Sequence, residues 1–136
     1  MFVLLSPAKK LQTARSGQTL PHFTKESLII AEKLQSYSSS QLHQLLHTSQ
    51  SITEQNIKRY KAFNKTNLEQ HGTAALFTYA GDVYRYFEPS QFDEDTLHYI
   101  QSHFAIITGL YGILKPLDKM LPYRLEMKNK LYIDET

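Results

Sequence analysis

The stretch "FAIITGLYGILKPLDKMLPYRLEM", residues 104–127, decides how the chain folds. Its first five residues can either prolong a preceding helix or form a strand. The β-branched Ile106, Ile107 and Thr108 favour the strand, since branching at Cβ suits a pleated surface and crowds a helix. Gly109 and Gly112 then bracket Leu110 and Tyr111, in a chain with only five glycines. That bracket predicts a turn. It lets backbone approach a ligand closely, or it lets a buried turn pack tightly.

Working outward, "FVLLS" (2–6) reads as a second short buried strand that ends at Pro7. Residues 7–23 hold Pro7, Gly17 and Pro21 among polar residues and predict an irregular excursion. Helices follow. Thr24 caps one through Gln35, Ser39 or Ser40 caps a second, and Thr53 caps a third. Their inward faces are Leu28, Ala31 and Leu34, then Leu42, Leu45 and Leu46, then Ile57, Tyr60 and Phe63. In "AALFTYAGDVY" (74–84) the period changes: Ala75–Tyr79 reads as a strand, Gly81-Asp82 as a turn and Val83–Phe87 as a short helix. Ser90 with Asp93 resembles a capping box for a helix from about Gln91 to His103. Strands separated by helical segments predict an α/β domain of mixed α+β type.

The 136 residues suit one domain, and 41% hydrophobic content is enough for a core. With no cysteine, disulfides, thiolate metal sites and thiol catalysis are excluded, which fits a reducing, cytoplasmic setting. The longest apolar run, Phe2–Leu5, is far too short to span a bilayer, and no signal-peptide pattern surrounds it. Net charge is only +2, but residues 1–25 carry Lys9, Lys10, Arg15 and Lys25 with no acid. Such a stretch can meet phosphates, or it can be a solvated loop.

Candidate chemistry sits in short runs. "SPAK" (6–9) satisfies Ser-x-x-Lys, yet Pro7 follows a strand and the partner motifs of serine acyl-transferases are missing. A strand-end loop presenting lysine to a cleft is the plainer reading. "HQLLH" (43–47) spaces two imidazoles four apart, but Gln44 stands where a metalloprotease needs its glutamate. Leu42, Leu45 and Leu46 put His43 and His47 at the border of the buried face or in solvent. Asp82, just past an expected strand end, can orient a base, hold a cation, accept from a nucleotide hydroxyl or cap a helix. "TGLYG" with Lys115 beyond it resembles a hairpin whose N–H groups grip one phosphodiester strand, although such hairpins use Gly-x-Gly rather than Gly-x-x-Gly. On extended backbone Arg124 and Glu126 share a face, where they hold an anion or pair with each other.

Together "LLSPAKKL" (4–11), "AGDVY" (80–84) and the segment through Met127 closely resemble the signature segments of the bacterial YaaA peroxide-stress-resistance family. The matching positions are Ser6 to Lys9, Gly81 to Tyr84, Gly109 to Gly112, Pro116 to Asp118 and Pro122 to Met127. Lys10 stands where the family usually has threonine, and Lys128 where a glycine is common. The resemblance implies a cytoplasmic protein that limits free iron under peroxide stress and binds DNA through a cationic cleft and a helix-hairpin-helix-like element. It also implies family members about twice this length. This chain is therefore expected to be the amino-terminal part of one larger domain, ending at "YIDET", with strand edges left unpaired.

The DNA-facing set is then Lys9, Lys10, Gly109, Gly112, Lys115 and Arg124, and the polar set around it is Ser6, Asp82, Tyr84, Tyr111 and Glu126. The expected partner is the DNA phosphate backbone, with no membrane, no cofactor and no metal site. The alternative is an enzyme pocket in which Lys9, Asp82, Arg124 and Glu126 handle a nucleotide or another anionic small molecule. Direct iron binding through Asp82, Glu126 and histidines has no ligand spacing behind it.

Overall fold

A computed structural model describes residues 2–126 and Asn129; the motif position Met127, the substitution at Lys128 and the terminal "YIDET" lie outside the described residues. The domain is a mixed α/β arrangement. Strand β1 (Val3–Leu5) runs parallel to β3 (Phe104–Thr108), pairing Leu4 with Ala105. Parallel partners need a crossover, and here nearly the whole helical part of the chain supplies it. Strand β4 (Gly112–Leu114) returns antiparallel against β3, placing Ile107 opposite Ile113. The sheet order is β1-β3-β4, so β1 forms one edge. Phe2 and Leu4 are each 61% exposed there, and among the described residues no strand lies beyond β1.

Within the crossover, α1 (Thr24–Gln35) follows an uncapped Phe23. Thr24 is already helical, and its hydroxyl donates back to the Pro21 carbonyl at 2.6 Å instead of capping. Helix α2 (Ser39–Leu46) is capped by Ser38, ahead of the expected Ser39 or Ser40. Ser38 accepts from Gln41 N–H while the Gln41 side chain accepts from Ser38 N–H, a complete capping box. For α3 (Gln50–Lys61) Ser49 is the cap. Thr53 is buried one turn in, its hydroxyl bonded to the Ser49 carbonyl and to Thr48. Helix α4 (Lys65–His71) is capped by Asn64.

The largest correction concerns Ala75–Tyr79. Only β2 (Thr73–Ala74) is a strand, paired antiparallel with β5 (Lys119–Met120). Ala75–Thr78 is a helical turn, α5, closed by the Thr78 hydroxyl on the Ala74 carbonyl at 2.7 Å. A short apolar run buried on all sides has no period that separates strand from helix. Ala75, Leu76, Thr78 and Tyr79 are all buried. Helix α6 (Asp82–Phe87) follows, then a 3-10 turn at Pro89–Gln91. Helix α7 (Glu94–His103) begins at Asp93, whose carboxylate accepts from Thr96 N–H, while Ser90 belongs to the 3-10 turn.

A main core joins these pieces, beside a smaller cluster of Ala74, Leu97 and Leu117. Leu34, Leu42, Tyr60 and Leu68 from the helices, with Phe63 between α3 and α4, meet Ile106, Leu114 and Met120 from the sheets and Leu110 and Tyr111 from the β3–β4 turn. Among the described residues no helix is long and apolar enough to cross a membrane.

Candidate functional site

The loop after β1 and the extended segment after β5 lie side by side. Each is tethered by tyrosine hydroxyls from the helical part. Tyr84 donates to the Ser6 carbonyl at 2.5 Å, and Tyr60 donates to the Arg124 carbonyl at 2.8 Å. Beneath them the hydroxyls of Tyr79 and Tyr123 meet at 2.7 Å. Tyr111 donates to the Leu121 carbonyl at 3.0 Å and accepts from Leu121 N–H at 2.8 Å. Burial pushes all five phenols up from the ordinary tyrosine range, because the charged form has no water to solvate it. They are neutral struts that set two loops in register.

Between those loops opens a cleft of about 290 Å³ lined by Ser6, Lys9, Gly109, Tyr123, Arg124 and Glu126, among others. Lys9 Nζ lies 3.1 Å from Glu126 Oε1, and Arg124 Nη2 approaches the same oxygen at 4.0 Å. Residues 115 apart in sequence thus converge on one carboxylate. The Lys9 side chain is 64% exposed, against 23% for Arg124 and 25% for Glu126. Such a solvent-facing pair is worth little to stability and leaves the lysine free to exchange partners. Asn129 secures the lip: it accepts from Glu126 N–H at 2.8 Å and donates to the Leu45 carbonyl at 3.0 Å.

The other expected site residues do not join this cleft as a set. Lys10 is exposed next to Lys9, and its carbonyl accepts from Ala80 N–H. Tyr84 and Tyr111 are framework phenols. Asp82 is exposed at the start of α6, paired with Arg85 one turn on, and does not line the cleft. The expected turn survives as a hairpin between β3 and β4, which removes the helices a helix-hairpin-helix would need. Gly112 answers to packing: its φ is +71°, and a Cβ there would sit 3.1 Å from the Phe23 ring. Gly109 lines the cleft. The glycine bracket therefore divides its work, one residue for the turn and one at the opening.

Lys115 faces a different groove, of about 260 Å³, with Thr19, His22, Gln101 and Asp118. Sequence reasoning matched Asp118 to a motif without giving it a part. It is buried, and its carboxylate accepts from the Thr19 hydroxyl at 2.5 Å and from Lys115 N–H at 2.8 Å. Gln101 closes the network by accepting from Leu117 N–H and donating to Thr19. Burial raises the Asp118 carboxyl, and those donors offset part of the rise. The signal available was an aspartate in "KPLD", where a side chain bonding back to local backbone stabilises a turn.

Of the histidine pair, His43 is exposed with Nδ1 3.3 Å from the Thr53 hydroxyl, and His47 ends α2 in the left-handed region. Among the described residues no three His, Asp or Glu side chains gather as a metal site.

Comparison with known proteins gives this geometry a family. The model for "Peroxide stress protein YaaA" matches residues 1–136. A UPF0246 protein of Delftia acidovorans is 39% identical over 136 residues, covering 96% of this chain and 52% of its own length. Those of Magnetococcus marinus and Lactobacillus helveticus are 40% and 37% identical over comparable shares of each chain. The chain spans about half the length of the curated relatives it matches. From the first residue to the last, it belongs to the YaaA peroxide stress protein family.

Proposed function

We propose that this chain supplies the DNA-facing part of a cytoplasmic peroxide-stress protein, holding phosphates without reading bases and helping to limit free iron and oxidative damage. The observation that carries the reading is the convergence of Lys9 and Arg124 on one open cleft edge, with Lys10 exposed beside it. One carboxylate against three cations leaves the edge positive, and guanidinium and ammonium groups match phosphate oxygens. Glu126 holds both cations in place until phosphates replace it. The competing occupant, a small anionic substrate, needs Asp82 in the same pocket, and Asp82 is paired elsewhere.

The test is DNA affinity against salt. Three phosphate contacts give a log–log slope of about −2.7, hence about 40-fold weaker binding between roughly 50 and 200 mM salt. Duplexes of unrelated sequence should bind alike. A slope near zero, or strong preference for one sequence, would overturn the reading.

A further inference from the structure

A second groove, of about 380 Å³, runs between the carboxyl end of α3 and the Leu121–Pro122 segment. Leu121, Pro122 and Ala62 give it an apolar floor, with Arg59, Asn67 and His71 among its walls. The basic last turn of α3 is partly ordinary, since cations suit the carbonyl end of a helix. Arg59 differs from its neighbours. It is half-buried, and its guanidinium is aimed by the fully buried Asn56, whose side-chain oxygen accepts from it at 3.5 Å. Among the described residues no carboxylate lies within ion-pair distance of Arg59. The next residue, Tyr60, bonds the Arg124 carbonyl, so this groove and the Lys9–Arg124 cleft lie against one strip of backbone. Burial disfavours the charged form of Arg59, and the neighbouring Arg124 adds to that. Two guanidinium groups close together, one of them half out of water with no carboxylate at ion-pair distance among the described residues, form a place where an anion relieves repulsion.

We propose that the Arg59 groove is a binding site for a phosphorylated nucleoside unit, the guanidinium of Arg59 taking the phosphate and the Ala62–Leu121–Pro122 floor taking the base or sugar. The site deepens the DNA reading and rests on it for the source of the phosphate, a strand passing from the Lys9–Arg124 edge into the groove. A free nucleotide carries the same chemistry and would seat in the same way.

Amide NMR shifts of the chain, titrated separately with thymidine monophosphate, inorganic phosphate and a short single-stranded oligo-thymidine, test it. The expected result is movement of the amides of Arg59, Asn67 and His71 with the oligonucleotide, and an affinity at those amides about tenfold weaker in Arg59→Gln, as befits loss of one charge-assisted contact. Arg59→Lys, which keeps charge without the fork, should fall between them, and unchanged circular dichroism shows that the variants fold. Movement with thymidine monophosphate and not with the oligonucleotide supports the site while sinking the DNA reading. Oligonucleotide shifts confined to Lys9, Lys10 and Leu125, or a groove affinity equal in wild type and Arg59→Gln, overturn the site while leaving the DNA reading intact. No shift with any probe overturns both.

Discussion

Asp118 and Glu126 stand eight residues apart in one motif, yet they work in opposite ways. Asp118 is 3% exposed and spends its acceptors on a hydroxyl and a backbone N–H, so its carboxylate holds the Lys115–Asp118 turn. Glu126 lies at the lip of an open cleft and meets two cations whose other faces reach solvent. The lesson is that a motif carboxylate declares its role through its donors. Neutral donors on a buried carboxylate mark a structural group, and cations at an open cleft mark an exchangeable one.

The strongest way to break this contrast is truncation. Asp118→Ala strands two donors in a part-buried setting and should cost about 1–3 kcal/mol in urea unfolding. Glu126→Gln should cost under about 1 kcal/mol. Equal losses would erase the distinction. The tyrosine struts give a second, pH-driven effect. All five phenols are raised when folded, so their contribution holds below the unfolded tyrosine value of about 10 and is lost as pH climbs above it. Their tyrosinate absorbance should appear only together with loss of circular dichroism; ionisation of all five phenols in a chain that is still folded would contradict the account.

Much of this was legible in the residues themselves. Branched Ile106 and Ile107 announced β3, Leu4 and Leu5 announced β1, and the helices of residues 24–71 showed their apolar spacing. Helix starts were misplaced by one to four residues because "SSS" and "TSQSIT" offer several hydroxyls, and only geometry selects Ser38 and Ser49. Ala75–Thr78 was misread because complete burial removes periodicity. At the site, Lys9, Arg124 and Glu126 were legible from their motifs. Arg59 was not, since an arginine in a basic helix end looks like any other until Asn56 and Arg124 are placed beside it.

Smaller effects sharpen the contrast further. Glu126→Gln removes the acid that competes with phosphate, and should tighten DNA binding about threefold at low salt; weaker binding would mean the carboxylate positions the cations more than it opposes the ligand. The smallest effect belongs to Asp118 titration. Its carboxyl is raised when folded, so stability from this group is full below the unfolded aspartate range and declines as pH rises through the folded value. Asp118→Asn should remove that decline above the unfolded aspartate value of about 3.9, seen as a flatter plot of unfolding free energy.

The most direct test is the salt slope of DNA affinity in the Lys9→Ala, Arg124→Ala double variant, measured beside the wild type. Loss of two phosphate contacts should flatten the slope by about 1.8. An unaltered slope in a folded double variant would show that this cleft edge does not meet DNA.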